Sequence, residues 1–213
     1  MTTKKDAYPA TLTVDYPKQH DKMSTFFRIL YAIPALVLIT LISAVDSNTI
    51  TNEAGEEMVR TSGGIAGGLF AATALMIVFR QRYPRWWFDF SLELNRFSTR
   101  VTAYLLLMTD TYPSTVEQQS VHLHLEYPDV KKDLNRWLPL VKWFLAIPHY
   151  IVLVFLIVGA IIATVVAWFS ILFSGRYPRG LFDYIVGVGR WGLRVSAYAF
   201  LLTTDKYPPY SLK

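Results

Sequence analysis

The feature that most limits what this chain can fold into is internal repetition. "VDYP" at residues 14–17 answers "LEYP" at 125–128, and "FRILYAIPA" at 27–35 answers "VKWFLAIPH" at 141–149. "RYPR" at 82–85 recurs at 176–179. "RFSTRVTAYLLLMTDTYP" at 96–113 answers "RWGLRVSAYAFLLTTDKYP" at 190–208, with one residue added. The order is the same in both halves, so the chain is a tandem duplication, and its fold must be assembled from two copies of one unit. Two membrane repeats follow, residues 1–115 and 116–213.

Spacing separates the copies. Pro34 and Pro84 lie 50 residues apart, Pro148 and Pro178 only 30. The missing 20 match the polar stretch "DSNTITNEAGEEMVRTSGG" at 46–64. Around it the first copy has two apolar segments, about 26–45 and 64–79, which predict a helical hairpin over 26–80. A hydrocarbon core about 30 Å thick takes roughly 20 helical residues, so each segment nearly crosses it. In the second copy the apolar run 138–173 is continuous. By analogy it is read as a second hairpin, 138–174, folded back near Gly159, with one long tilted helix as the rival. The composition agrees: 17% of residues are charged, against roughly a quarter in soluble domains. The opening "MTTKKDAYPATLTVDYP" lacks the apolar core of a signal peptide, so insertion is expected to rely on the internal segments.

Charge placement favours hairpins. The 46–64 loop holds Asp46, Glu53, Glu56 and Glu57 against Arg60. The other flanks carry Lys4, Lys5, Lys22, Arg28, Arg80, Arg82, Arg85, Lys131, Lys132, Arg136, Lys142, Arg176 and Arg179. A positive-inside bias puts all of these, and both termini, on the cytoplasmic side. Small residues at Gly63/Gly67, Gly64/Gly68 and Gly159, Ala163, Ala167 predict closely packed helices, or a loosened helix start at the glycines. Pro34 and Pro148 are expected to kink their helices.

The repeated "RYPR" falls where the apolar runs end. The residue before proline is pushed out of the helical region, so the cassette ends a helix. Arg82, Arg85, Arg176 and Arg179 are expected to reach phosphates, with Tyr83, Tyr177, Trp86 and Trp87 at headgroup depth. Asp89, Glu93, Arg96 and Arg100 follow at steps of four, three and four, a charged stripe on one helical face. The second copy keeps Asp183, Arg190 and Arg194, with Gly187 in place of the glutamate. The stripe predicts amphipathic helices over 86–108 and 181–202. Each lies at the cytoplasmic boundary, or enters the membrane shallowly so that its arginines pack against the hairpins; the rival, a spanning helix, would bury the charges, invert the second copy and make the charge bias incoherent. The lipid- or partner-contacting set is therefore Arg82, Tyr83, Arg85, Trp86, Trp87, Arg96, Arg100, Arg176, Tyr177, Arg179, Arg190 and Arg194. Asp89, Glu93 and Asp183 complete the structural stripe. "ATLTVDYP" and "VHLHLEYP" alternate with the period of short strands, predicting a small cap whose strands pair between copies.

Chemistry is sparse. The chain has no cysteine, which excludes disulfides and thiolate catalysis. His122 and His124 share a strand face while His20 and His149 stand alone, so no three- or four-ligand metal set emerges. Haem ligation by His149 would need an unrelated partner, because its counterpart is Ala35. Asp89 and Glu93, next to Arg96, read as paired surface charges rather than general acids. No catalytic, cofactor-binding or metal residue is assigned.

The stretches "FFRILYAIP", "WFLAIPH" and "AWFSILFSGRYPRGLFDYIVGVGRWGLRVSAYAFLLTTDKYPPYSL" resemble a bacterial membrane-protein family known only as domain of unknown function 4389 (DUF4389). The second copy is similar throughout. The first departs in its long loop and at "RQRYPRWW", which lacks the usual glycine before Arg-Tyr-Pro-Arg. The resemblance covers almost the whole chain as two tandem copies. It implies an integral membrane protein and brings no activity.

The sequence thus predicts an all-α integral membrane protein. It has two tandem transmembrane hairpins (four spans), each followed by an amphipathic interfacial helix, with short cytoplasmic strands. The expected role is a non-enzymatic accessory or scaffold subunit of a larger bacterial inner-membrane complex, in contact with anionic headgroups and not with nucleic acid. The alternative is binding or transport of a lipid or small amphiphile.

Overall fold

A computed structural model describes residues 8–43, 46–51, 57–62 and 64–213. The expectations placed on Lys4, Lys5, Glu53, Glu56 and Gly63 lie outside the described residues. Strand β1 (Ala10–Val14) leads through α1 (Lys22–Phe26) to α2 (Arg28–Ser43). The hairpin β2 (Asp46–Thr51) and β3 (Glu57–Ser62) follows, then α3 (Ile65–Leu75) with a π-helical turn (Met76–Arg80), and α4 (Arg85–Leu105). The second copy runs β4 (Val121–Leu125), α5 (Val130–Asp133), a 3-10 turn (Leu138–Leu140), α6 (Lys142–Leu145), α7 (Ile147–Ser174) and α8 (Arg179–Ala199).

Among the described residues the expected four spans are not present. The segment 138–174 is no hairpin: short turns lead into one unbroken helix, α7, of 28 residues. Gly159 does not reverse the chain. A lone glycine costs a helix only about 1 kcal/mol relative to alanine. A reversal inside this apolar run would leave backbone groups without polar partners. Gly159 instead admits a neighbour, since a Cβ there would lie 2.5 Å from the Tyr184 hydroxyl, which donates to the Leu156 carbonyl at 3.0 Å. Nor does Pro148 kink a helix. It sits in the first turn of α7, where its missing N–H has no partner to lose.

Aligning the copies explains the first one. Arg28 corresponds to Lys142 and Arg80 to Ser174, so Ser43 corresponds to Ile157 and Gly64 to Val158. The insertion therefore falls between two positions that are neighbours in α7. It does not connect two spans; it divides one helix. Among the described residues α7 is the one helix long and apolar enough to cross a membrane, whereas the apolar stretches Arg28–Ile42 and Ile65–Arg80 are shorter.

Each long apolar helix, whole or divided, has an amphipathic helix running antiparallel along it. On α7 and α8 the pairs are Tyr184 with Leu156 and Trp191 with His149. Ala160, Ala163, Ala167 and Ile171, at steps of three, four and four, form the buried stripe of α7. In the first copy Ala35 of α2 packs with Phe97 and Val101 of α4, and Trp87 donates to Thr73 of α3 at 2.8 Å. The glycines of α3 are not such a contact: a Cβ on Gly67 or Gly68 would meet nothing within 4 Å.

The far faces of α8 and α4 carry the strands, crosswise: β1 lies on α8 and β4 on α4. The two strands pair antiparallel, Leu12 opposite Leu123 and Thr13 opposite His122, so the expected pairing between copies is present. Leu12, Val121, Leu123 and Leu125 face inward while Thr11, Thr13, His122 and His124 alternate outward. The architecture has three layers: apolar helices, amphipathic helices and a strand pair. The charged stripe, expected to face water or the hairpins, faces the strands.

Candidate functional site

The two copies build the same charged node. Arg28 donates to the Thr109 carbonyl at 2.5 Å and pairs with Asp110. The Asp21 amide donates to the same carboxylate at 2.9 Å, and the guanidinium lies 4.2 Å over the Tyr104 ring. In the second copy Lys142 donates to the Thr204 carbonyl at 2.7 Å and lies 2.6 Å from Asp205. Here the Asn135 amide donates to Asp205 at 2.5 Å, and the ammonium sits 5.2 Å over Tyr198. Every member is the repeat counterpart of its namesake. The sequence had shown Arg28 and Lys142 only as flanking charges and the Thr-Asp pairs only as turns. Their recurrence at matching positions was the signal that could have linked them.

The nodes differ in one neighbour. His20, fully buried, lies 3.2 Å from Asp110, whereas Leu134 stands at the equivalent place. Burial works to raise the Asp110 pKa. Hydrogen bonds from His20, the Asp21 amide and Arg28 outweigh it and hold the carboxyl down at about 2. Burial pulls the Lys142 pKa below that of a free lysine, with Asp205 opposing.

The repeated Arg-Tyr-Pro-Arg cassettes divide their labour. Tyr83 and Tyr177, expected at headgroup depth, are 3% and 1% exposed. Their hydroxyls cross to the other copy, Tyr83 donating to Leu201 at 3.2 Å and Tyr177 to Leu106 at 3.3 Å. Burial pushes both pKa values up to about 12. Tyr127 and Tyr16 return the bond by donating to the Tyr83 and Tyr177 carbonyls. Arg85 and Arg179 stack on those returning tyrosines, at 4.7 and 4.5 Å, and each pairs along its helix, with Asp89 and Asp183, at 3.2 Å. Arg82 and Arg176 are exposed and have no ion-pair partner among the described residues. Trp86 is exposed too, while Trp87 is partly buried against Thr73.

The arginines of the stripe hold backbone. Arg96 donates to Leu123 and Arg190 to Leu12, both at 3.1 Å, pinning each strand to its helix. Arg100 donates to Ser114 at 2.7 Å and Arg194 to Ser211 at 3.2 Å, pinning the tails that follow the nodes. Glu93 pairs with Arg96 at 2.5 Å. Its counterpart Gly187 is a glycine because the C-terminal tail passes over it: a Cβ would lie 2.8 Å from Leu212 Cβ.

Two clefts open at equivalent places. One, of about 470 Å³, lies among α3, α4 and the end of α8, lined by Ala66, Gly67, Thr73, Ser91, Asn95 and Phe200 among others. The other, of about 360 Å³, lies among α7, α8, α4 and β1, with Ala160, Ile161, Ile185, Gly189 and Leu106 in the matching positions. Ser91 and Asn95 make the first cleft partly polar, while Ile185 and Gly189 leave the second apolar. Neither joins the charged nodes. His149 is buried, accepts from Trp191 at 3.1 Å and stacks on Tyr210 with ring centres 4.1 Å apart. Among the described residues no group of three or more histidines and carboxylates could hold a metal ion.

Comparison with protein families matches residues 137–211 to the model described as Domain of unknown function (DUF4389). The match falls on the second copy alone, so the expectation of two tandem family copies is corrected to one. The first copy differs from the matched one by its 20-residue insertion and by Gln81 before its Arg-Tyr-Pro-Arg, where the second has Gly175. Comparisons with curated proteins and with solved structures return no match.

Proposed function

We propose that the chain is a non-enzymatic accessory or scaffold subunit of a larger assembly in the bacterial inner membrane, with both termini on the cytoplasmic side. The observation that carries this reading is the uncovered apolar layer. Ile29, Leu30 and Leu41 of α2 and Val154, Phe155, Ile162 and Phe173 of α7 are all more than half exposed. Exposed apolar faces of this extent call for lipid or a partner helix. The cations that could serve chemistry are engaged elsewhere: Arg28, Lys142, Arg96 and Arg190 hold one segment of the scaffold to another. The test is purification from native membranes in mild detergent after crosslinking. Recovery with larger partners at fixed stoichiometry supports the reading, and recovery only as a free monomer or homodimer overturns it.

The paired clefts favour a second reading, binding of a lipid or small amphiphile. Both volumes fall in the range of small-molecule sites, about 300–1,000 Å³. Gly67 lines the first cleft, and a Cβ there would meet nothing within 4 Å, so Gly67→Leu puts a bulky side chain at the cleft wall. Retained lipid, counted by native mass spectrometry, should fall in that variant, and unchanged retention removes this reading.

A further inference from the structure

We infer that the apolar helices lie in the plane of a single leaflet, with α7 buried lengthwise beneath the headgroups instead of crossing the bilayer. This rests on the reading of the chain as a membrane protein and fixes how it meets the lipid.

Two independent observations carry it. The first is the layering. Helix α7 is backed along its length by α8, and α8 in turn by β1. A crossing α7 would hold α8, with Arg190 and Arg194 on its far side, and the strand pair at the depth of the hydrocarbon core. The outward residues Thr11, Thr13, His122 and His124, and the Asp15–His122 pair at 3.1 Å, would then face lipid chains. Polar groups in that position have no water to satisfy them. Laid flat, the same molecule puts its apolar layer in the lipid and its strand layer in water.

The second is the insertion in the first copy. It leaves the helix line between α2, of 16 residues, and α3 with its π turn, which ends at Arg80. Each piece is about 24 Å long at 1.5 Å per residue. A helix line crossing the membrane would start the β2–β3 hairpin, at the Asp46–Ser62 pair, close to the bilayer centre, and its open strand edges would lie in hydrocarbon without hydrogen-bond partners. An in-plane line starts the hairpin within reach of the headgroups. The charges at the ends of α7 agree with one shared surface: exposed Arg136 and Trp143 precede the helix and exposed Arg176 follows it. Together they match an anionic headgroup plane.

The chain has no cysteine, so single-cysteine variants report cleanly. Arg136→Cys, ahead of the short turns that lead into α7, and Ser174→Cys, at its last residue, mark exposed positions before and after the helix. They are labelled with a membrane-impermeant maleimide in sealed right-side-out and inverted vesicles from cells expressing the full chain. Both should react from the same face, at least tenfold faster than from the other. Reaction from opposite faces overturns the inference. Nitroxide labels at positions 151, 155, 162 and 169, read by depth-dependent quenching in phosphatidylethanolamine–phosphatidylglycerol vesicles, give a second measure. Their depths should agree within about 5 Å, the radius of a helix with its side chains. A profile shallow at both ends and deepest in the middle overturns the inference. Failure of the chain to float with these vesicles would remove the membrane reading and the inference with it. Flotation with opposite-face labelling would remove the in-plane orientation alone.

Discussion

In the first copy a buried arginine meets Asp110 with His20 as a third member; in the second a buried lysine meets Asp205, and Leu134 stands where the histidine would be. Both cations bond the carbonyl just before their carboxylate and both lie over a tyrosine ring. The position thus requires a cation reaching from the start of the apolar helix to the turn after the amphipathic one. Which cation fills it is negotiable. What differs is the support. Among the described residues, Asp110 keeps His20 and an amide if Arg28 is lost, whereas Asp205 would keep only the Asn135 amide. A second difference is in the helix itself, whole in α7 and divided in α2 and α3. The scaffold tolerates that division because α4 supports both pieces from behind.

The most severe break in this comparison should come at the second node. Lys142→Ala removes a buried cation and leaves the partly buried Asp205 carboxylate to the Asn135 amide, and should cost about 3 kcal/mol, the lower end for a broken buried pair, read as chemical unfolding in mild detergent. Arg28→Ala should cost less, about 1.5–3 kcal/mol, the range for hydrogen bonds to charged groups. Equal losses would mean that His20 contributes nothing. Gly187→Ala forces the C-terminal tail off α8 and should cost about 1–3 kcal/mol, while Glu93→Ala at the matching exposed position should stay within about 0.5 kcal/mol. The helix ends give the smallest effect. Gln81 and Gly175 both take left-handed backbone, at φ 47° and 70°, a conformation that costs a side-chain-bearing residue about 1–2 kcal/mol. Gln81→Gly should therefore stabilise by about 1 kcal/mol and Gly175→Gln destabilise by as much.

Acid sharpens the contrast between nodes. The Asp110 carboxyl is held at about 2 in the folded chain, against about 3.9 when unfolded. Its stabilisation is complete above the unfolded value and disappears as pH falls from about 4 through about 2, because the unfolded chain takes up the proton first. Melting curves of Asp110→Asn should lose that part of the acid slope, and an unchanged slope would mean the carboxylate is not held as described.

Much of the unit was legible because it depends on local chemistry. Repetition marked two copies, alternation at 121–125 marked a strand, and Tyr-Pro marked the helix ends. The stripe from Asp89 to Arg100 was legible as a face but not by what it faces. Spacing shows that charges share a side, and water and a strand's carbonyls satisfy an arginine equally well. The reading of 138–174 went astray because the first copy served as the template, when it was the interrupted one. Nothing in either apolar run distinguishes an inserted hairpin from a connecting loop. The nodes were missed because their members lie far apart in sequence, 82 residues between Arg28 and Asp110.

By itself the sequence determined that this chain would repeat one order of elements, end its apolar helices next to Arg-Tyr-Pro-Arg and make those helices strongly apolar. Periodicity and backbone preference are written residue by residue. Only the tertiary structure decided that each strand would lie on the other copy's amphipathic helix, that each cassette tyrosine would bond the other copy, and that polar layers would back the apolar one along its whole length. Those pairings depend on which surfaces meet once both copies are present, and a linear pattern holds no record of distance.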